Sequence, residues 1–207
     1  SVSTVWLPLV IKAFKKLYPG INYEVLMGDY IDIERWVRSG RVDFGFTTPV
    51  IGEGLESVLV TRDELLLAVH SDHPFAKLAR VPAKKLNDEP FFLLEKGRPG
   101  AVSAYLNEND IHPAIELTTF EDYAIMNMVR MSLGCGILPE LILQYPVEDV
   151  HLKHLKPTGY REILLITRQG AVLSLAASEF LRCFASELKE ELDPRFEEKI
   201  SKLMAPK

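Results

Sequence analysis

The segment 118–140 constrains the fold of this chain more than any other part of its sequence. It reads TTFEDYAIMNMVRMSLGCGILPE, and its apolar residues recur at the spacing of a helix: Phe120, Ala124, Met128 and Met131. Thr118 or Thr119 can cap this helix, and acidic residues follow in its first turn. Gly134 is typical of a helix end, and Pro139 ends the short apolar strand that follows. The segment therefore predicts a strand, a helix and a second strand in succession.

Helices and strands alternate along the rest of the chain. The apolar pattern predicts helices at 1–18, 30–39, 99–107, 120–131 and 174–192. It predicts strands at 21–27, 42–47, 91–94, 114–117, 136–138, 150–154 and 161–167. The long segment 57–70 has a charged middle, TRDE, which favours a break between two strands. This alternation predicts an α/β fold in which helices cover a parallel sheet.

The composition excludes several classes of function. The chain has 207 residues and a net charge of −5, so its sequence shows no basic surface of the kind that binds nucleic acid. No apolar run reaches the roughly 18 residues that span a bilayer. The charges of the first segment follow its apolar stretch, unlike those of a signal peptide, and the abrupt start in a helix favours a fragment of a longer protein. A cytoplasmic location without a membrane partner is therefore expected.

The cysteines and histidines form no metal or redox motif in the sequence. Cys135 and Cys183 are far apart, so both thiols are expected to be free in a reducing compartment. A redox sensor at Cys135 is the less favoured alternative to a small buried residue in a tight turn. Two H-x-x-H pairs, which start at His70 and His151, lack a third ligand, and no catalytic motif is present. We predict no metal, no cofactor and no catalytic site.

Four short motifs occur in a specific order along the chain. They are Leu7-Pro8 with Tyr18-Pro19, Asp43-Phe44-Gly45-Phe46, His73-Pro74-Phe75-Ala76, and Gly134-Cys135-Gly136-Ile137-Leu138-Pro139. Together they resemble the effector-binding domain of LysR-type transcriptional regulators over about residues 1–190. The family's winged helix-turn-helix, its linker helix and the first strand of its effector domain have no counterpart here. The tail after Asp193 runs past the family's usual end.

This resemblance implies a fold and a function. The fold is two Rossmann-like αβ lobes joined by two crossover strands, as in type 2 periplasmic binding proteins. Lobe I is expected at 1–64 and 161–207, and lobe II at 65–160. The implied function is to sense a small, anionic metabolite and to control a DNA-binding domain that is absent from this chain. A solute-binding protein of a transport system and an enzyme on the same fold stay open as alternatives.

The effector is expected to bind in the crevice between the lobes, where strands end and helices begin. Free N–H groups at helix starts and nearby hydroxyls favour a small anion, most simply a carboxylate. The resemblance assigns effector contact to Ser1, Val2, Ser3, Thr4, Thr47, Thr48, Arg98, Pro99, Gly100, Ala101, Thr119, Phe120 and Gly136. The alternative for each hydroxyl is a helix cap without ligand, and for Arg98 a solvated loop charge.

The first helix also suggests a protein interface. Trp6, Phe14 and Tyr18 are more aromatic residues than one buried helix face needs. In the resembled family this helix packs against a neighbouring subunit. We therefore predict a homodimer through the helix at 1–18 and the strand at 21–27, with a homotetramer as an alternative for the full-length protein. The competing interpretation is that all three aromatic residues belong to the core.

Overall fold

The computed structural model describes residues 2–49, 51–95, 97–144 and 146–204, so Ser1 lies outside the described residues. The α-helices are α1 (Leu7–Leu17), α2 (Tyr30–Ser39), α3 (Ala101–Glu108), α4 (Asp122–Arg130), α5 (Leu175–Glu187) and α6 (Phe196–Met204). The strands are β1 (Gly45–Thr47), β2 (Leu55–His70), β3 (Arg80–Pro82), β4 (Pro90–Leu94), β5 (Ala114–Thr119), β6 (Cys135–Pro139) and β7 (Val150–Arg168). Short 3₁₀ helices lie at Pro74–Lys77, Ala83–Leu86, Glu140–Gln144 and Lys189–Glu191.

The chain forms two compact units. Unit 1 comprises Ser1–Arg62 and Glu162–Lys207, and unit 2 comprises Asp63–Arg161. The chain passes from one unit to the other twice, once within β2 and once within β7. Each unit is therefore built from parts of these two long strands together with its own helices.

Unit 1 packs helices on both faces of β1. This strand pairs antiparallel with β7, so that Gly45 is opposite Ile166 and Thr47 is opposite Leu164. A side chain at Gly45 would meet Ile33 of α2, whose Cγ2 is 2.7 Å from the ideal Cβ position. Successive strand residues face opposite sides, and Phe46 accordingly packs against Phe184 of α5 with ring centroids 5.3 Å apart.

The segment after the end of α5 completes the core of unit 1. Phe196 of α6 is buried against Phe184, with ring centroids 6.0 Å apart. Ile200, one helical turn later, is also buried. The backbone N–H of Asp193 donates a hydrogen bond of 2.6 Å to the carbonyl of Val60 in β2. The tail that extends past the resembled family's usual end is thus an integral part of this unit.

Unit 2 contains a mixed sheet with a parallel centre. Strand β4 pairs in parallel with β5 on one side and with β6 on the other, and β6 pairs antiparallel with the second half of β2. Strand β3 pairs in parallel with β7. The buried core includes the fully enclosed side chains Leu65, Leu67, Leu86, Phe91, Ile125, Ile137, Leu138 and Leu155. Strands β4 and β5 thus end side by side, which places the residues that follow them close together.

Two predicted features of the strands are wrong. The segment 21–27 belongs to no strand among the described residues, because alternating apolar residues form a strand only where a neighbouring strand supplies hydrogen bonds. The segments 150–154 and 161–167 are not separate strands but the two ends of β7.

The last long helix also ends earlier than predicted, since α5 stops at Glu187 and a 3₁₀ turn follows.

The predicted break at residues 61–64 is also wrong, because the charges there find partners on β7. Arg62 pairs with Glu162 of its own unit at 3.0 Å. In unit 2, Asp63 pairs with Arg161 at 2.6 Å, and Glu64 lies 2.7 Å from His154. Cross-strand pairs of opposite charge stabilise a sheet, so β2 continues through its charged middle.

Candidate functional site

The predicted effector contacts fall into two groups, one in each unit. The group of unit 1 comprises the described residues Val2, Ser3, Thr4, Thr47 and Thr48. The group of unit 2 comprises Arg98, Pro99, Gly100, Ala101, Thr119, Phe120 and Gly136.

The first residues of unit 1 form a π-helical turn, Val2–Trp6, that leads directly into α1. This differs from the predicted α-helix with a serine cap, since Ser3 lies inside the turn rather than before it. Pro8 sits at the start of α1, where its missing N–H costs little. Val2 and Ser3 are half-buried and Thr4 is exposed. Short π-helical segments are frequent at functional sites.

Thr47 is the residue of this group whose surroundings most favour contact with a ligand. Its side chain is only 1% exposed, and its Oγ1 has no hydrogen-bond partner among the described residues. It lies at the carboxyl end of β1 on the same strand face as Gly45, which is the face that α2 covers. Because buried hydroxyls in native proteins almost always have a partner, this orphaned oxygen indicates a contact that a bound molecule can supply.

Trp6 adds a second buried polar atom without a partner in unit 1. Its ring packs edge-on against Phe184 with centroids 5.9 Å apart. The indole Nε1, a hydrogen-bond donor, is buried and has no acceptor among the described residues. The sequence analysis considered Trp6 as a core or interface aromatic residue and missed this donor.

In unit 2, the start of α3 lies next to the end of β4. Gly100 is the N-cap residue in an extended conformation, and it offers no side chain to the first N–H groups of the helix. Arg98 is half-buried rather than fully solvated. The N-cap residue therefore makes no side-chain hydrogen bond to the first turn of α3, and free donors there stay a prediction.

Glu95, which lies beside the start of α3, is a charged residue that the sequence analysis missed. It follows β4 directly, its N–H donates a hydrogen bond of 3.0 Å to the carbonyl of Thr119, and its carboxylate accepts a hydrogen bond from Ser103 Oγ in α3. A carboxylate near a helix N-terminus is stabilised by the helix dipole. Glu95 thus places a negative charge beside the predicted anion contacts of this unit.

Thr119 ends β5 but does not cap α4 as predicted. The helix begins at Asp122 with Glu121 as its N-cap residue. The Oγ1 of Thr119 instead accepts a hydrogen bond of 3.2 Å from the N–H of Glu121, in a local turn. Phe120, between the strand and the helix, is exposed.

Gly136 is set back from the other residues of this group. It pairs with Phe92 in β4, whereas Thr119 pairs with Leu94, two residues further along the same strand. A side chain at Gly136 would meet Cγ2 of Ile125 at 2.7 Å and the carbonyl of Phe92 at 3.2 Å. The close approach of α4 to the sheet therefore explains this glycine without any ligand.

The thiol of Cys135 has the properties of a core residue. Burial, and to a lesser degree the charge of Glu89, raises the pKa of Cys135 to about 12. The thiol is therefore protonated near neutral pH, where the thiolate is the reactive form. This supports the buried structural role over the redox sensor.

The first histidine pair, His70 and His73, makes hydrogen bonds to nearby backbone groups. His70 Nδ1 accepts a hydrogen bond of 3.2 Å from the N–H of Asp72, and His73 Nδ1 accepts one of 3.2 Å from the N–H of Phe75. Within the described residues, no three side chains of the metal-binding types come together. Among the described residues, no helix has both the length and the apolar composition that crossing a bilayer requires.

Comparison with solved structures shows the same fold in other proteins. The regulatory domain of CcmR from Synechocystis PCC6803, solved in complex with 2-PG, has a TM-score of 0.81 at 20% identity, over 89% of this chain and 91% of that chain. The effector-binding domain of BenM with its effector benzoate has a TM-score of 0.80 at 20% identity, over 92% and 89% of the two chains. The fold is therefore that of the type 2 periplasmic binding proteins, as the resemblance implied.

The sequence comparisons then define the family. The sequence model of the LysR substrate binding domain matches residues 1–189, so the chain belongs to this family. The regulator YvbU of Bacillus subtilis, an uncharacterised HTH-type transcriptional regulator, is 26% identical over 192 residues. The match covers 91% of this chain but only 64% of YvbU. The chain thus corresponds to the substrate-binding part of such a regulator.

Proposed function

We propose that this chain senses a small anionic metabolite, most simply a carboxylate, for a cytoplasmic LysR-type transcriptional regulator. The orphaned hydroxyl of Thr47 carries this proposal, because a bound anion would supply the hydrogen-bond partner that the buried oxygen lacks. Benzoate, the effector bound to the BenM domain, is a carboxylate. The response would reach a DNA-binding domain outside this chain through a shift between conformations that bind the effector unequally.

Two alternatives from the sequence are less well supported. A solute-binding protein would share this fold, but the curated relatives are named as transcriptional regulators. An enzyme on the same fold has no support from the family, which is one of regulators. The sensor is therefore the function that we retain.

Glu95 refines the proposed chemistry of the effector. Its carboxylate lies beside the first turn of α3 and would repel a second carboxylate there. A hydroxyl or ammonium group can instead donate a hydrogen bond to it. Effectors with one anionic group and one donor group, such as hydroxy acids and amino acids, therefore suit the unit 2 residues better than dianions.

Replacing Thr47 with valine should separate binding from stability. The two side chains have nearly the same shape, so the change removes a buried hydroxyl without a partner, and we expect the free energy of unfolding to rise by about 1 kcal/mol. The same change should weaken effector binding by about tenfold or more, since a hydrogen bond to a charged group contributes about 1.5–3 kcal/mol. Urea unfolding and isothermal titration with a compound that stabilises the wild-type chain provide the two measurements.

The matched control is Thr61→Val, the same chemical change at a half-buried position of β2 in the same unit. It should leave effector affinity unchanged. If Thr47→Val binds the compound as tightly as the wild-type chain does, Thr47 does not contact the effector.

We further propose that the chain forms a homodimer through α1 and the segment 21–27. The aromatic residues do not support this, because Trp6 and Phe14 are buried in unit 1. The support comes from exposed apolar side chains, which include Leu17, 67% exposed, and Met27, 76% exposed. The segment 21–27 also has no strand neighbour among the described residues, so it can pair with a strand of a second copy.

Charged residues at this surface should prevent the dimer from forming. We expect the wild-type chain to sediment as a dimer and Leu17→Glu/Met27→Glu to sediment as a folded monomer. The control is Val172→Glu/Leu175→Glu, at two other exposed apolar positions of unit 1. A wild-type monomer, or equal loss of dimer in both double variants, would contradict this interface.

A further inference from the structure

Glu34 is a buried carboxylate on α2 that neither the sequence analysis nor the family assignment explains. Its exposed fraction is 6%, although the helix carries apolar residues on the same inner side, including the buried Val37. Removing a charge from water is costly, and an apolar side chain of similar size is often equally stable at such a position. A buried carboxylate therefore calls for a role beyond filling space.

The contacts of Glu34 show which part of the chain it holds. Its Oε2 accepts a hydrogen bond of 3.1 Å from the backbone N–H of Gly52 and lies 3.9 Å from Nη2 of Arg38, one turn later on α2. Arg38 in turn donates a hydrogen bond of 3.0 Å from Nε to the carbonyl of Glu53. Two neighbouring charged side chains of α2 thus bind the backbone of two successive residues.

Gly52 fits this arrangement because it has no side chain. An added Cβ would lie 2.7 Å from Nη2 of Arg38 and 3.5 Å from Oε2 of Glu34. The backbone at Gly52 therefore approaches both charged groups closely. The segment is fixed at its far end as well, since the N–H of Gln169 donates a hydrogen bond of 2.9 Å to the carbonyl of Gly54.

The residues that this arrangement holds, Gly52 and Glu53, lie four and five positions after Thr48. The backbone of Thr47 is set by its pairing with Leu164, and the chain then leaves β1. The contacts at Gly52 and Glu53 then bind the segment that follows Thr48 to α2. We propose that Glu34, together with Arg38, is a positioning residue that fixes the orientation of Thr47 and Thr48. Its consequence for effector binding rests on the proposed function.

The test uses the full chain without any ligand, with nuclear magnetic resonance signals of the threonine methyl groups and of the Gly52 amide. Glu34→Leu removes the acceptor, so the Gly52 amide should exchange with solvent about tenfold faster or more. The methyl signals of Thr47 and Thr48 should shift or broaden in the same variant. Glu34→Gln keeps an acceptor oxygen at the same position and should restore both signals, which a mere effect of burial would not do. Arg35→Gln, at an exposed position of the same helix, is the control.

Unchanged methyl signals of Thr47 and Thr48 in Glu34→Leu would overturn the proposal, even if the Gly52 amide exchanges faster. If Glu34→Leu fails to fold, Arg38→Met provides the test. It removes the guanidinium, the more exposed of the two charged groups, that binds the carbonyl of Glu53. Shifted threonine signals in that variant support the proposal, and unchanged ones overturn it. Since no ligand is added, a chain that passes this test but binds no effector contradicts the proposed function alone.

Discussion

Replacing Arg161 with methionine is expected to destabilise the chain by about 3–5 kcal/mol, because it leaves a buried carboxylate without its cation. Asp63 and Arg161 are both buried in unit 2, with Nη2 and Nε of the arginine 2.6 and 2.8 Å from Asp63 Oδ2. The other carboxylate oxygen accepts a hydrogen bond of 2.9 Å from the N–H of Leu141. A single amide cannot replace the guanidinium, so the midpoint of urea unfolding should fall strongly.

Two further variants separate the effect of the charge from that of side-chain volume. Asp63→Leu/Arg161→Met replaces both charges with apolar groups and should recover most of the lost stability. Arg62→Met removes the exposed neighbour that pairs with Glu162 and should have little effect. If the double variant is as unstable as Arg161→Met, packing rather than the unpaired charge sets the cost.

Ending the chain at Leu192 is expected to destabilise unit 1 by about 5 kcal/mol or more. Truncation removes Phe196 and Ile200, which are both buried. Loss of a core phenylalanine costs about 3–5 kcal/mol and loss of a core isoleucine about 2–5 kcal/mol. Since whole domains are stable by only about 5–15 kcal/mol, the truncated chain should show a much lower midpoint of thermal unfolding by circular dichroism.

A chain that ends at Met204 is the matched control for this truncation. It keeps all of α6 and should unfold at the temperature of the full chain. An unchanged midpoint for the chain that ends at Leu192 would show that α6 is an accessory to unit 1. In that case Phe184 must be covered by other residues once Phe196 is gone.

Local patterns predicted the elements whose partners are close in sequence. The segment 118–140 folds as a strand, a helix and a strand as predicted, but the helix buries Ile125, Met126 and Val129. Phe120 and Met131, which belong to the predicted apolar series, are exposed. The continuity of β2 could not be predicted in this way. Its charged middle is satisfied by Arg161 and Glu162, about a hundred residues later, and no local pattern identifies such partners. The segment 21–27 shows the converse, since its alternation has no neighbouring strand in the described residues.

The sequence predicted only part of the candidate site. Thr47 was predicted as a contact because it lies at the end of an apolar strand, directly after a family-like motif. Only the structure shows that its hydroxyl is buried without a partner among the described residues. Glu95 and Glu34 were missed, because a carboxylate in sequence is most often a solvated charge. For Glu34 a signal existed, since it lies three residues before Val37 and therefore on the apolar side of α2.

Thermal unfolding of this chain against a panel of small ligands tests the sensor most directly. The panel consists of benzoate and other aromatic acids, aliphatic carboxylates, hydroxy acids, amino acids and sulfate. We expect a saturable rise in the unfolding temperature for one class with a single anionic group, because a ligand that binds only the native state stabilises it. Thr47→Val should need about tenfold more of the same compound, or still more, for an equal rise. No saturable rise with any compound, in a chain that unfolds cooperatively, would contradict a small-anion sensor.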